Sequence, residues 1–138
     1  FELSGGEKRR VAIAGVLAMD PEIIILDEPT AGLDPKTSRK LLEDLVMLQQ
    51  KMQKTIIIVS HNMDDLATYV DRIVVMYQGE KKYDDTPKEV FSHTKELKKM
   101  GLASPVIMQV MQELNNLGYK LDPQALTVGE ATRGIKNA

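Results

Sequence analysis

Two short runs of aliphatic residues stand out along the chain, EIIIL at 22–26 and TIIIV at 55–59. A continuous β-branched run is typical of a strand buried on both faces of a parallel sheet. The segment between them predicts a helix to about Met52, with apolar positions at Leu41, Leu42, Leu45, Val46 and Leu48. Strand, helix and strand at this spacing predict a right-handed βαβ unit.

Helix start signals mark two places in the first 35 residues. Ser4 or Gly5 can cap a helix over residues 7–18, which Pro21 stops from continuing beyond Asp20. Asp34 caps the helix between the two strands, with Pro35 at its first position.

After residue 61 the pattern changes to short elements. DDLATYV predicts a short helix, RIVVMY at 72–77 and EKKYD at 80–84 predict two strands that turn at Gln78-Gly79, and residues 87–91 start another helix. Beyond His93 we predict only helices. One of them is capped by Ser104, opened by Pro105, and carries an apolar stripe of Val106, Ile107, Val110, Met111, Leu114 and Leu117. Thr127 caps a last short turn.

Composition narrows the function classes without selecting one. The 138 residues carry 18 Lys and Arg against 20 Asp and Glu, a net charge of −2, so we expect no nucleic-acid partner. Cysteine is absent, which excludes disulfides and thiolate metal sites. No apolar run approaches the ~18 residues needed to span a bilayer.

The first candidate site is the turn Ser4-Gly5-Gly6-Glu7. Taken alone, this turn is best explained as a capped helix start, but glycine amides at a helix N-terminus also present donors to an anion. The second candidate lies where the aliphatic runs end. Asp27 and Glu28 follow the first run and His61 follows the second.

Because ligands of open α/β sheets bind at the carboxyl ends of the strands, these three residues are candidates for metal–phosphate chemistry. Asp34 is ambiguous, since capping alone accounts for it, and His93 lies in a polar stretch that favours simple solvation.

In combination, LSGGE, IIILDEP, AGLD and IIIVSH closely resemble the second half of an ABC-type ATPase domain, an α/β fold of the P-loop NTPase class with parallel buried strands. Residues 3–7 match the signature motif, with Glu7 where Gln is commoner. Ile23–Asp27 match Walker B, residues 31–34 the D-loop, and His61 the switch histidine.

The resemblance implies the roles of these residues toward ATP and Mg²⁺. Asp27 would act on Mg²⁺, Glu28 would polarise the attacking water, and His61 would contact the γ-phosphate. The ATP-binding set is Ser4, Gly5, Gly6, Glu7 and Asp34: the signature turn would reach a nucleotide held by an opposing subunit, and Asp34 would couple the two sites.

The resemblance also predicts what is missing. No G-x-x-x-x-G-K-[ST] occurs, so we expect a C-terminal fragment of a longer protein. The strand leading to the missing phosphate loop would lie between TIIIV and RIVVMY, with EIIIL on the other side of TIIIV. We expect the ATPase part over residues 1–91 and a helical extension over residues 92–138.

The extension resembles that of energy-coupling-factor transporter ATPases at Leu97, Gly101-Leu102, Pro105, Leu114 and Gly118. Before the extension, Asp85 stands where that family usually has glycine ahead of Thr86-Pro87. That family implies a vitamin or metal-ion importer at the cytoplasmic face of the membrane. Its partners would be a second ATPase subunit, identical or not, a transmembrane coupling protein and a substrate-binding membrane component. A soluble ABC protein without a transport role, or a non-catalytic dimerisation fragment, remains the alternative.

Overall fold

The computed structural model of the protein describes residues 3–137, and the chain divides between His61 and Asn62 into two units. The first unit contains α1 (Gly5–Leu17), β1 (Ile23–Asp27), α2 (Pro35–Met52) and β2 (Thr55–Val59). The second contains α3 (Met63–Tyr69), β3 (Ile73–Tyr77), β4 (Glu80–Asp85), α4 (Pro87–Ser92), α5 (Thr94–Lys99), α6 (Val106–Asn116) and α7 (Val128–Lys136).

The strands of the first unit pair in parallel, with a register that runs from Ile23 opposite Thr55 to Asp27 opposite Val59. The predicted βαβ unit and the α/β fold class are confirmed. Asp34 caps α2, and Pro35 opens it as predicted. Leu41, Leu42 and Leu45 are the buried positions of this helix.

The two aliphatic strands are not buried on both faces, which corrects the expectation from their sequences. Ile24 is 2% exposed, but its neighbours Ile23 and Ile25 are 57% and 67% exposed. Along β2, Ile57 and Val59 are 45% and 51% exposed. The alternation arises because successive side chains of a strand point to opposite faces, and within the described residues one face of this two-stranded sheet is open.

The second unit is built on an antiparallel hairpin of β3 and β4 with a register shift between Val75 and Met76. Gln78 and Gly79 connect the strands with φ of 52° and 80°. Positive φ at both central residues is the requirement of a type I′ hairpin turn, so the predicted turn is confirmed.

The helical extension packs on this hairpin within the second unit. One buried cluster combines residues from the hairpin and its flanking helices with residues from the extension: Ala67, Ile73, Val75, Val90, Phe91, Leu97, Met108 and Leu126. A smaller cluster of Met111, Leu121, Ala125 and Ala131 joins α6 to α7. Within the second unit, residues after 92 therefore contribute to the same core as residues from 62–91.

The helix α6 begins differently from the prediction. Its N-cap is Pro105, and Ser104 makes no side-chain capping bond. The Val106 N–H instead donates to Asp64 Oδ1 at 2.8 Å, from the first turn of α3. Ser104 is 8% exposed, and its hydroxyl has no hydrogen-bond partner among the described residues.

The predicted apolar stripe of α6 is only partly buried. Of its six residues, Met111 is 1% exposed, and Ile107 and Leu114 pack at the edge of the core. Met108, which does not belong to the predicted stripe, is also buried, at 2% exposed. Val106, Val110 and Leu117 are 56%, 47% and 77% exposed. The stripe is wider than the surface that the second unit covers, and one of its sides faces outward.

In the part of the chain that the structure describes, the strands form two separate two-stranded sheets, β1 with β2 and β3 with β4. The TIIIV strand therefore pairs with EIIIL, as predicted, and not with RIVVMY. None of the described helices is both long and apolar enough to cross a bilayer.

Candidate functional site

The carboxyl edge of the parallel sheet brings together the acidic pair and the histidine. Asp27 ends β1 opposite Val59, the last residue of β2. The Glu28 N–H donates to the Val59 carbonyl at 2.8 Å, which extends the pairing by one residue. Glu28 then turns into the left-handed region with φ of 46°, a conformation that is uncommon for residues other than glycine.

Glu28 and His61 are in direct contact. The Glu28 Oε1 lies 2.6 Å from His61 Nδ1 and also accepts the His61 backbone N–H at 3.1 Å. Nδ1 donates in this pair because a carboxylate can only accept, so in the neutral ring Nε2 is left as an acceptor. The His61 side chain is 83% exposed and can meet a ligand at this edge.

Asp27 is exposed at the end of β1 and lies beside Glu28 in the chain. Among residues 3–137, no group of three or more His, Asp or Glu side chains is arranged to hold a metal ion. Mg²⁺ is commonly bound through one or two carboxylates, with waters and substrate phosphates completing its shell. Asp27 therefore fits a magnesium ion that arrives with phosphate.

The turn at residues 4–7, here called the signature turn, forms a reciprocal capping box. Ser4 Oγ accepts the Glu7 N–H at 3.3 Å, and the Glu7 carboxylate accepts the Ser4 N–H at 2.8 Å and the Ser4 hydroxyl at 2.7 Å. The hydrogen bond from the Ser4 side chain lowers the pKa of Glu7.

The two glycines of the signature turn differ in their surroundings. A Cβ on Gly5 would meet no atom within 4 Å, whereas a Cβ on Gly6 would lie 2.8 Å from Thr37 Cγ2. Gly5 thus leaves open space beside the helix N-terminus, and Gly6 allows α1 to approach α2 closely.

Asp34 is held by α2. Its Oδ1 accepts the N–H groups of Lys36 and Thr37 at 3.0 and 3.1 Å, and its Oδ2 accepts the Thr37 hydroxyl. The Thr37 hydroxyl is the largest cause of a lowered pKa at Asp34. Helix capping accounts for these contacts of the Asp34 carboxylate, so its assignment remains as ambiguous as the sequence left it.

Two residues of this region were missed in the sequence. Arg9 donates from Nη1 to the Ala31 carbonyl at 2.8 Å, which links α1 to the loop before α2. Thr37 contacts both Gly6 and Asp34. Neither residue has a sequence signal that predicts its contacts, because both depend on how α1 lies against α2.

Comparison with known proteins supports the resemblance to ABC-type ATPases that the motifs indicate. The family model described as ABC transporter matches residues 1–31. The chain is 48% identical over 144 residues to the energy-coupling factor transporter ATP-binding protein EcfA2 of Caldanaerobacter subterraneus subsp. tengcongensis, covering 99% of this chain and 50% of that protein. It is 46% identical over 135 residues to the protein of the same name from Clostridium perfringens, with 98% and 47% covered.

The structural comparison gives the same picture. The solved structure of cbiO1 from Clostridium perfringens, described as part of the ABC transporter complex cbiONQ, has a TM-score of 0.64 at 40% identity and covers 83% of this chain and 43% of its own. The chain thus spans about half the length of the relatives it matches. The similarity to the two ATP-binding proteins extends through the helical extension as well as the motifs.

Proposed function

We propose that the chain carries the catalytic half of an ATP-hydrolysing subunit. The premise is that it belongs to the ABC transporter ATPases and resembles those of energy-coupling-factor transporters in particular. The observation that carries the proposal is the contact of Glu28 with His61 at the carboxyl edge of the parallel sheet. This pair places an acceptor carboxylate beside an exposed imidazole, so the carboxylate could contact the attacking water while the imidazole contacts the phosphate.

Each residue of the edge has a proposed task. Bound ATP would supply the γ-phosphoryl group, and a Mg²⁺ ion held with the help of Asp27 would neutralise phosphate charge. Glu28 would orient the attacking water and accept its proton, since a positioned carboxylate is suited to general-base work. His61 would hold the γ-phosphate by donating from Nε2, which requires that both ring nitrogens carry a proton when the phosphate is bound. Its pairing with Glu28 sets the direction of the ring.

The signature turn and the D-loop would serve a second subunit. Open space at Gly5 and the N-terminus of α1 suit an anion, which supports contact with a nucleotide held by an opposing ATPase subunit. Asp34 would lie in the loop that links the two sites of the pair. The second subunit is either another copy or a different chain of the same family.

We extend the proposal to the transporter. The relatives are named as an ATP-binding protein of an energy-coupling factor transporter and as part of an ABC transporter complex, which supports a transport role. The motif resemblance implies an importer in which the ATPase pair would drive a transmembrane coupling protein and a membrane component that binds a vitamin or metal ion. The ATPase would then act at the cytoplasmic face of the membrane. Co-purification of the complete protein with a multi-span membrane protein tests this part, and ATPase activity without such a partner would favour the soluble alternative.

The catalytic assignment is tested in the complete protein. Glu28→Gln keeps the size of the side chain but removes the base, so turnover should fall by about 10²–10⁴-fold while ATP binding remains. His61→Ala should also slow turnover through lost positioning of the phosphate. The measurements are the steady-state rate and equilibrium binding of a fluorescent nucleotide.

Glu43→Gln is the matched control, since Glu43 is exposed on α2 and the chemical change is the same. It should hydrolyse ATP at the wild-type rate. A Glu28→Gln protein with near-normal turnover would place the base elsewhere.

A further inference from the structure

The start of α1 is joined to the loop between β1 and α2 at two points. Arg9 Nη1 donates to the Ala31 carbonyl at 2.8 Å across 22 residues of sequence. Gly6 lies so close to α2 that a Cβ there would be 2.8 Å from Thr37 Cγ2, and the hydroxyl of the same Thr37 donates to Asp34. One contact reaches the beginning of the D-loop and the other reaches its end.

Hydrogen-bonded turns within the loop between β1 and α2 connect these two contacts to Glu28. The Ala31 N–H donates to the Glu28 carbonyl at 3.2 Å, so Ala31 is one hydrogen-bonded turn away from the proposed base. The Leu33 N–H donates to the Thr30 carbonyl at 3.2 Å, and Gly32 adopts φ of 73° between them. Arg9 itself lies in α1, and the residue that it contacts, Ala31, is hydrogen-bonded to Glu28.

We propose that Arg9 is a positioning residue, which fixes the segment from Glu28 to Asp34 relative to the signature turn and so makes hydrolysis responsive to nucleotide at that turn. The inference rests on the proposed function, because the occupant of the signature turn is the ATP of the paired subunit. Arg9 touches neither nucleotide nor water in this role, and it acts through the Ala31 carbonyl.

The contact can be removed without dismantling its surroundings. The capping box of Ser4 and Glu7 does not involve Arg9, so the signature turn should keep its shape in Arg9→Ala. Asp34 should still cap α2 through Lys36 and Thr37. The variant therefore isolates the link between the two segments.

The experiment uses the complete protein with its paired subunit, and it measures ATPase kcat and KM together with the melting temperature. Arg9→Ala should lower kcat by about 5- to 10-fold, the size expected for the net contribution of one ordinary hydrogen bond, with KM within about 2-fold of wild type. Arg9→Lys should recover at least half of the lost rate because an ammonium group can donate to the same carbonyl. The melting temperature should be unchanged in both variants.

Arg39→Ala is the matched control, since it removes the same side chain from an exposed position of α2. Wild-type kcat in Arg9→Ala would overturn the inference while leaving the proposed function intact. A loss of rate that follows a lowered melting temperature and is not recovered by Arg9→Lys would overturn it as well. A wild-type protein that does not hydrolyse ATP would overturn the proposed function and this inference together.

Discussion

Ser104 illustrates how one side chain can satisfy a sequence rule and yet play another role. Ser-Pro before an apolar helix is a strong start signal, but the Val106 N–H is taken by Asp64 and the Ser104 hydroxyl is left buried without a partner among the described residues. A buried unpaired hydroxyl costs about 1–3 kcal/mol. The Ser104 hydroxyl therefore destabilises the folded state, with no hydrogen bond among the described residues to offset its burial.

Ser104→Ala separates the two interpretations. If Ser104 capped α6, the substitution would destabilise the protein by about 0.5–2 kcal/mol. From the structure we expect the free energy of unfolding to stay equal or to rise by about 1 kcal/mol, measured by denaturant titration of the complete protein.

Thr127→Ala provides the contrast, because Thr127 Oγ1 does accept the Glu130 N–H at 3.2 Å. That variant should lose about 1 kcal/mol. A Ser104→Ala protein that loses as much as Thr127→Ala would restore Ser104 as a cap.

The acidic pair and the histidine were predictable at the residue scale for a simple reason. Parallel strands end at one edge, so residues that follow two adjacent strands come together whatever their side chains are. The 2.6 Å contact of Glu28 with His61 could not be predicted, because it depends on the left-handed backbone of Glu28 and spans 33 residues of sequence. The Arg9 contact with Ala31 could not be predicted either, because it spans 22 residues of sequence and depends on how α1 packs.

At the scale of elements, local sequence signals predicted the bounds of α2 correctly. Which side of α6 is buried depends on tertiary contacts, which local signals do not predict. Asp34-Pro35 gives the start of α2 without reference to the rest of the chain. The α6 stripe has the right period, but which of its sides is covered depends on the hairpin and α7. The second unit covers Met108 and Met111 and leaves Val110 and Leu117 exposed.

The exposed side of α6 is our candidate surface for subunit pairing, and it can be tested without harming the core. Val110→Glu combined with Leu117→Glu should change the free energy of unfolding by less than about 0.5 kcal/mol, as is usual at surface positions. ATP-dependent pairing of the complete protein, followed by sedimentation velocity, should weaken. Pairing that is unchanged in the double variant would remove this surface from the interface.

Met111→Ala is the opposite case on the same helix. It should destabilise the protein by about 2–5 kcal/mol, because Met111 is 1% exposed in the α6–α7 cluster. Cutting the chain after Phe91 is a poor test of pairing by comparison, since it removes Leu97, Met108 and Leu126 from the core that Phe91 shares.

At the scale of the whole chain, the 138 residues should not hydrolyse ATP by themselves. The proposed base and phosphate sensor are present, but the sequence contains no G-x-x-x-x-G-K-[ST] motif to hold the β- and γ-phosphates. We expect no Mg²⁺-dependent turnover from the purified chain in a coupled phosphate-release assay. Turnover that Glu28→Gln abolishes would contradict this expectation.

The isolated chain should also reveal the open edge of its parallel sheet. Since β2 is paired with β1 and β3 with β4 in the described residues, the amides of TIIIV that do not face β1 should exchange with solvent rapidly at high dilution. At high concentration the same edge favours pairing between chains. A stable monomer with every amide of TIIIV and RIVVMY protected would mean that these strands close on each other.

The shared core of the second unit has a consequence for how the protein is made. Ile73 and Val75 are synthesised before Leu126, which lies about 50 residues later in the chain and completes their cluster. At the usual speed of synthesis, roughly 5–20 residues per second, the hairpin waits several seconds for its last partner. During that interval the apolar face of the hairpin is exposed, so we expect chaperones to bind the nascent second unit.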